Sequence, residues 1–311
     1  MKKLADYIMH LIQGFCMALA DSVPGESGGT IAFLLGFYDK FINSLGNLMK
    51  GTKNATKEEK RKEKKDAIIF LLKLGIGWII GFTSAVLVLS SVFESHIYSV
   101  SSLFLGFIIF AIPIVILEEK DCLKGKWKNL IFVAIGIAVV VAITLLNPVS
   151  GENNAVDLTN LNFGLGIYIF VVAMVAISAM ILPGISGSTL LLIFGLYMPI
   201  ISGIKELLHL NFAYFPAIFI FGLGILAGIA IVIKTIQKCL EKYRSQTIYC
   251  IIGLMIGSLY SIVMGPTTLE VPQAAMSLQT FNILFFILGG VIIAGLQAMK
   301  VFIEKKKRIE E

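Results

Sequence analysis

Twice in this chain an apolar stretch is interrupted by the same kind of break. The first reads Asp21-Ser-Val-Pro-Gly-Glu-Ser-Gly-Gly-Thr30 and the second Met180-Ile-Leu-Pro-Gly-Ile-Ser-Gly-Ser-Thr189. Seven identities share one offset of 159 residues: Pro24/Pro183, Gly25/Gly184, Ser27/Ser186, Gly28/Gly187, Thr30/Thr189, Gly36/Gly195 and Tyr38/Tyr197. Proline has no backbone N–H and disfavours helix in the residue before it, so Pro24 and Pro183 each end the segment in front. In hydrocarbon, unsatisfied backbone groups are not tolerated, and two such breaks need a structural or functional reason.

The surroundings of the breaks are membrane-like. Hydrophobic residues make up 57% of the 311, charged residues 15%, and mean hydropathy is +0.88. These values exclude an ordinary water-soluble domain and indicate a polytopic α-helical membrane protein. The apolar blocks of about 17 to 25 residues suit helices crossing ~30 Å of hydrocarbon, and the dyad alternation of a membrane barrel is missing. Met1-Lys-Lys precedes apolar residues, but Asp6, His10 and Gln13 interrupt them, so this segment reads as mature fold rather than a cleaved signal. Cys16, Cys122, Cys239 and Cys250 form no CxxC pair and no metal cluster with the three histidines, so reduced thiols and no metal or cofactor are expected. The net charge of +6 is confined to a few loops, which argues against a nucleic-acid partner.

Two halves follow the same plan. Residues 1–155 hold a hairpin (4–49) and spans at 67–92, 101–118 and 129–147. Residues 156–311 hold a hairpin (163–203) and spans at 213–235, 247–264 and 280–300. Gly75, Gly77, Gly81 and Gly106 match Gly222, Gly224, Gly228 and Gly253 at an offset of 147, and Gly136 matches Gly289. Such glycines are common where membrane helices pack closely, but with the motif they indicate duplication. The N-terminus, residues 50–65, 119–128 and 234–244, and the C-terminal tail hold 23 of the 26 basic residues, leaving only Lys40, Lys73 and Lys205. Placing them in the cytoplasm puts both termini there and inverts the halves relative to each other. Each hairpin then begins and ends on one side of the membrane. Re-entrant arms would bring the motifs together near the midplane, as in transporters built from inverted repeats, whereas fully crossing arms would separate them.

The motif suits an anion. Gly25, Gly28, Gly29, Gly184 and Gly187 permit unusual backbone angles, and Ser27, Thr30, Ser186, Ser188 and Thr189 can cap the following arm. Amides and hydroxyls at a helix N-terminus favour a ligand with several acceptor oxygens, such as phosphate. The plain alternative is a pair of capped connecting turns. Glu26, replaced by Ile185 in the second copy, marks a proton or cation pathway if it lies at membrane depth, and Asp21 could serve similarly. Lys73 either snorkels to the cytoplasmic face or pairs with the phosphate, and Arg244 either sets orientation or meets the headgroup. Gly25-Glu-Ser-Gly28 also fits the GxSG of intramembrane serine hydrolases, but no later span carries the histidine such a serine needs, so no catalytic residue is assigned.

Ala20-Asp-Ser-Val-Pro-Gly-Glu-Ser-Gly-Gly-Thr-Ile-Ala-Phe-Leu-Leu-Gly-Phe-Tyr38, together with Leu182-Pro-Gly-Ile-Ser-Gly-Ser188, resembles the bacterial polyprenyl-phosphate transporter family, long catalogued as a domain of unknown function. The resemblance covers essentially the whole chain. It implies a flippase returning undecaprenyl phosphate, the lipid carrier of cell-wall precursors, from the outer to the inner leaflet of the cytoplasmic membrane. The residues themselves leave a small-anion carrier or channel open, and neither coupling ion nor oligomeric state is legible in them.

Overall fold

The computed structural model describes residues 2–21, 27–49, 56–84, 90–146, 156–268 and 273–309, so Pro24, Gly25 and Glu26 lie outside the described residues. The first half comprises α1 (Lys2–Asp21), α2 (Gly28–Leu34), α3 (Tyr38–Met49), α4 (Lys57–Ser84), α5 (Ser90–Glu118), the short α6 (Lys120–Leu123) and α7 (Leu130–Leu146). The second comprises α8 (Phe163–Ile181), α9 (Gly187–Ile193), α10 (Tyr197–Leu208), α11 (Phe215–Lys242), α12 (Arg244–Met264) and α13 (Ile283–Ile309). The described residues contain no strand. Among the described residues, six helical stretches are long and apolar enough to cross a membrane: Lys57–Ser84, His96–Glu118, Trp127–Leu146, Phe163–Ile181, Phe212–Lys242 and Arg244–Thr267. Their apolar side chains, among them Leu72, Ile79, Leu226 and Ile231, stay exposed on the protein surface, as lipid-facing positions do. The chain is a polytopic helical membrane protein.

Helix boundaries depart from the sequence reading in instructive ways. The hairpin arm beginning at 163 forms α8 and is long enough to cross, as expected, and the span expected at 280–300 corresponds to α13. Residues 93–100 continue α5 rather than forming a loop, with only His96 leaving helical geometry (φ −128°, ψ 26°). The basic run from Lys57 belongs to α4, because Thr56 and Glu59 form a capping box: the Thr56 amide donates to Glu59 Oε2 (2.7 Å) and the Glu59 amide to Thr56 Oγ1 (3.3 Å). Each second arm is broken into seven and twelve residues. Gly36 (φ 66°) and Gly195 (φ 62°) terminate the short pieces, with Phe37 N donating to Ala32 O and Leu196 N to Leu191 O. A left-handed residue with a long-range amide return is the Schellman ending, and this explains why these two glycines repeat.

Glycine contacts report how the helices are arranged. A Cβ at Gly77 would stand 2.1 Å from Leu11 O and one at Gly81 2.6 Å from Phe15 O; in the second half, Gly224 meets Phe170 O at 2.5 Å and Gly228 meets Met174 O at 2.6 Å. These are the same contacts shifted by the two sequence offsets, and they lay α4 parallel to α1 and α11 parallel to α8. The remaining spans exchange partners. Gly106 of α5 abuts Phe286 O of α13 (2.1 Å), while Gly253 of α12 abuts Val133 O of α7 (2.3 Å). Reciprocally, Gly289 meets Leu103 O (2.2 Å) and Gly136 meets Cys250 O (2.5 Å). Along the full length of each pair the partner numbers rise together, from Ser102–Asn282 to Glu118–Gln297 and from Asn129–Ser245 to Val140–Gly257, so α5 runs parallel to α13 and α7 parallel to α12. Close approach of backbones through small residues is how membrane helices gain van der Waals contact. Within this frame α12 is central and mostly buried, and α7 peripheral and mostly exposed.

These contacts separate two sets of glycines. Gly77→Ala and Gly253→Ala force a methyl group onto backbone carbonyls and should destabilise the protein by about 1–3 kcal/mol. Gly75 and Gly222 have open space around them, so Gly75→Ala and Gly222→Ala should be neutral or stabilise by up to about 1 kcal/mol through helix propensity. Thermal unfolding in detergent micelles distinguishes the two pairs.

Candidate functional site

The two motifs meet. Ser27 Oγ donates to Met180 O (2.8 Å) and lies 3.3 Å from Leu182 O, and the Gly184 amide donates to Thr30 Oγ1 (2.8 Å). Tyr38 OH donates to Ile181 O (3.2 Å). The carbonyls that α8 leaves unpaired at its end are thus satisfied by side chains of the first motif. Gly29 allows the approach, since a Cβ there would lie 2.5 Å from Ile181 O, and Gly184 adopts φ 84° against Leu254 O, where a side chain would be both strained and overlapping.

Three amides at the start of α2 are satisfied within the first half. Gly28 N donates to Asp21 Oδ1 (2.7 Å), Gly29 N to Ser27 Oγ (3.1 Å) and Thr30 N to Ser27 O (2.9 Å). Asp21 Oδ2 accepts from Trp78 Nε1 of α4 (2.9 Å). Ser27 and Thr30 are completely buried, and their hydroxyls hold the second turn. The second turn differs: Ser186 starts α9 without a side-chain cap, and its hydroxyl pairs with that of Ser188 (2.8 Å). A cavity of ≈180 Å³ lies beside this junction, lined by Asp21, Ser186, Gly187 and Ser188, by α8 residues including Ala176 and Met180, and by Phe221 and Ile225 of α11. Its volume is similar to that of engineered cavities (about 150 Å³) that take a benzene ring.

The sequence-predicted residues therefore divide. Asp21, Ser186, Gly187 and Ser188 line the cavity; Ser27, Gly28, Gly29, Thr30 and Gly184 build the contact between turns. Pro183 follows the end of α8, and Thr189 is buried within α9. Lys73 does not line the cavity; its ammonium lies 5.3 Å from the Tyr7 ring centroid. Arg244 is the first residue of α12 and is engaged elsewhere, bidentate to Glu119 (Nη2–Oε1 2.5 Å, Nε–Oε2 3.0 Å) with Nη1 on Asp39 (2.8 Å). Such a fork-shaped pair ties α3 to the start of α12 and the end of α5. Trp78, Phe221 and Ile225 are additions. Trp78 was detectable in principle, since a tryptophan within an apolar span needs an acceptor for its indole N–H. Phe221 and Ile225 carry no such signal.

Fold and pocket together define the class: a membrane-crossing helical bundle whose two helix breaks meet at a small cavity bearing one carboxylate and two hydroxyls. A family model described as VCA0040-like, undecaprenyl phosphate translocase-like, matches residues 17–280, and the chain belongs to this family. A polyprenyl-phosphate transporter of Staphylococcus aureus is 34% identical over 279 residues, covering 90% of this chain and 94% of the relative. A polyprenyl-phosphate transporter of Vibrio cholerae is 28% identical over 264 residues, covering 84% and 79%. No solved structure matches the chain.

Thr30→Val should destabilise the protein by about 1–3 kcal/mol, because it strands the buried Gly184 N–H. Thr30→Ser keeps the acceptor and should cost less. Denaturation of the purified variants gives both values, and equal stability of Thr30→Val and wild type would remove this bond from the account.

Proposed function

We propose that this protein moves undecaprenyl phosphate from the outer to the inner leaflet of the bacterial cytoplasmic membrane, its phosphate held where the two Pro-Gly-x-Ser-Gly turns meet and its isoprenoid tail left in the bilayer. The observation that carries the reading is the cavity beside the apposed turns, where Asp21 and the Ser186 and Ser188 hydroxyls share space with Phe221 and Ile225. Hydroxyls suit the headgroup oxygens, and the apolar wall suits the first carbons of the tail. The names of the two relatives support the substrate class.

The scaffold is two inverted repeats, residues 1–155 and 156–311. Parallel pairing of α5 with α13 and of α7 with α12 supports inversion, given that successive spans alternate in direction. Each span then runs opposite to its counterpart. Parallel α1 and α4, and likewise α8 and α11, support hairpins that return the chain to its starting side, with re-entrant arms reaching the shared site. The concentration of Lys and Arg at 50–65, 119–128 and 234–244 supports cytoplasmic termini. A proton or cation at Glu26 or Asp21 is the coupling species, and transport, not catalysis, is the activity.

Cells lacking the protein should accumulate surface-exposed undecaprenyl phosphate, measured with an impermeant ligand for the lipid phosphate. Unchanged surface lipid would leave the small-anion reading in its place. Ser186→Ala with Ser188→Ala should reduce lipid transport on the order of tenfold, the loss of about one charge-assisted hydrogen bond. Glu26→Gln should abolish or uncouple transport in protein that still folds.

A further inference from the structure

Lys40 and Lys73 stand apart from the basic loops, and the fold brings both to the first half of α1. Lys40 Nζ of α3 donates to His10 Nε2 (3.2 Å) and lies 4.4 Å from the Phe70 ring centroid, while Lys73 Nζ of α4 lies 5.3 Å from that of Tyr7. Gln13 orients the imidazole: its Oε1 only accepts, so His10 Nδ1 carries the proton (2.8 Å) and Nε2 is the acceptor for Lys40. A neutral imidazole and aromatic faces hold ammonium groups without cancelling their charge. Asp39, next to Lys40 in sequence, is paired with Arg244 (2.8 Å). Among the described residues, the side-chain charges that reach His10 are those of Lys40, Lys73 and Asp6, two cations and one anion.

This cluster connects to the cavity along α1. Asp6, His10, Gln13 and Asp21 fall on one face of the helix at 100° per residue, and His10 lies about 16 Å before Asp21 at 1.5 Å per residue. Exposed Ile8, Leu72 and Ile76 of the same two helices offer apolar surface beside it. The second half has no such cluster. At the offsets of 159 and 147, His10, Gln13, Lys40 and Lys73 become Ile169, Val172, Pro199 and Ile220, and a mainly apolar groove lies beside Gly166 and Ile220. We infer that Lys40 and Lys73 form a second phosphate site, about 16 Å along α1 from Asp21, which holds the monoester headgroup while the tail rests on the apolar surface of α1 and α4. This rests on the proposed transport function and adds a station to its path, on the cytoplasmic side by the distribution of Lys and Arg. Two ammonium groups match a monoester charge of about −1.5 to −2, and their presence in one half alone gives the headgroup this resting place toward one leaflet only.

The test is native mass spectrometry of the full-length protein in micelles, titrated with a water-soluble short-chain polyprenyl phosphate. Wild type should bind two molecules. Lys40→Gln with Lys73→Gln, checked for folding by thermal melting, should weaken one of the two sites at least about tenfold, and Lys40→Arg with Lys73→Arg should restore it. Photocrosslinking of wild type with a diazirine analogue of the same lipid, read by peptide mapping, locates the sites without any substitution: label should fall on α1, α3 or α4 around Lys40 and Lys73 as well as on α8, α9 or α11. Label confined to α8, α9 and α11, or two sites unchanged in the glutamine variant, overturns the inference. A lysine-dependent site that takes inorganic phosphate but not the lipid, or that phosphatidylglycerol fills as readily as the polyprenyl phosphate, overturns it as well. Wild type that binds no polyprenyl phosphate at all overturns the transport reading itself, a distinct result.

Discussion

The architecture depends on two broken backbones satisfying each other. Where α8 stops before Pro183, three carbonyls and a glycine amide lose their helical partners, and a buried polar group left unpaired is costly. Ser27, Thr30 and Tyr38 of the opposite half supply the missing hydrogen bonds. The approach requires Gly29, because any side chain there would meet Ile181 O. The junction is therefore both the mechanical centre of the molecule and the wall of its cavity.

Around that centre the halves repeat their contacts but not their chemistry. Gly77 and Gly224 seat α4 and α11 against the same points of α1 and α8, so backbone geometry is shared. Asp21 and Trp78, which hydrogen-bond across the α1–α4 interface, are Met180 and Ile225 in the second copy. Asp39, tied to Arg244, is Met198. Packing at a helix crossing constrains size, and glycine satisfies it in both halves; the carboxyl groups of Asp21 and Asp39 have no counterpart in the second. The polar groups of the cavity thus come from both halves, the carboxyl group from the first and the two hydroxyls from the second.

The sequence was legible wherever a residue type has one strong physical reason to be present. The repeated prolines and glycines located the breaks, and the 159- and 147-residue offsets recur in the helix contacts. Gly36 and Gly195 appeared as repeat identities, but their task of splitting each second arm emerged only from their left-handed backbone. The site was half legible. Serines and glycines of both motifs stood out, yet the same residue types serve two tasks: Ser27 and Thr30 bind the other turn, while Ser186 and Ser188 face the cavity. Arg244, attractive for an anion while it stood alone in a basic loop, has carboxylate partners 125 and 205 positions away in the chain, beyond the reach of local pattern.

By itself, then, the sequence determined a polytopic helical membrane protein with a duplicated Pro-Gly-x-Ser-Gly break, because hydropathy, proline and glycine act locally. Only the tertiary structure decided that the breaks touch, that α5 pairs with α13 and α12 with α7, and that Asp21, Ser186 and Ser188 supply polar groups to the wall of the cavity. The reason is physical: a hydrogen bond between Ser27 and Met180 depends on where two distant backbones are brought together, and nothing in either segment alone encodes which of its polar groups will be spent on the contact and which will be left facing the cavity.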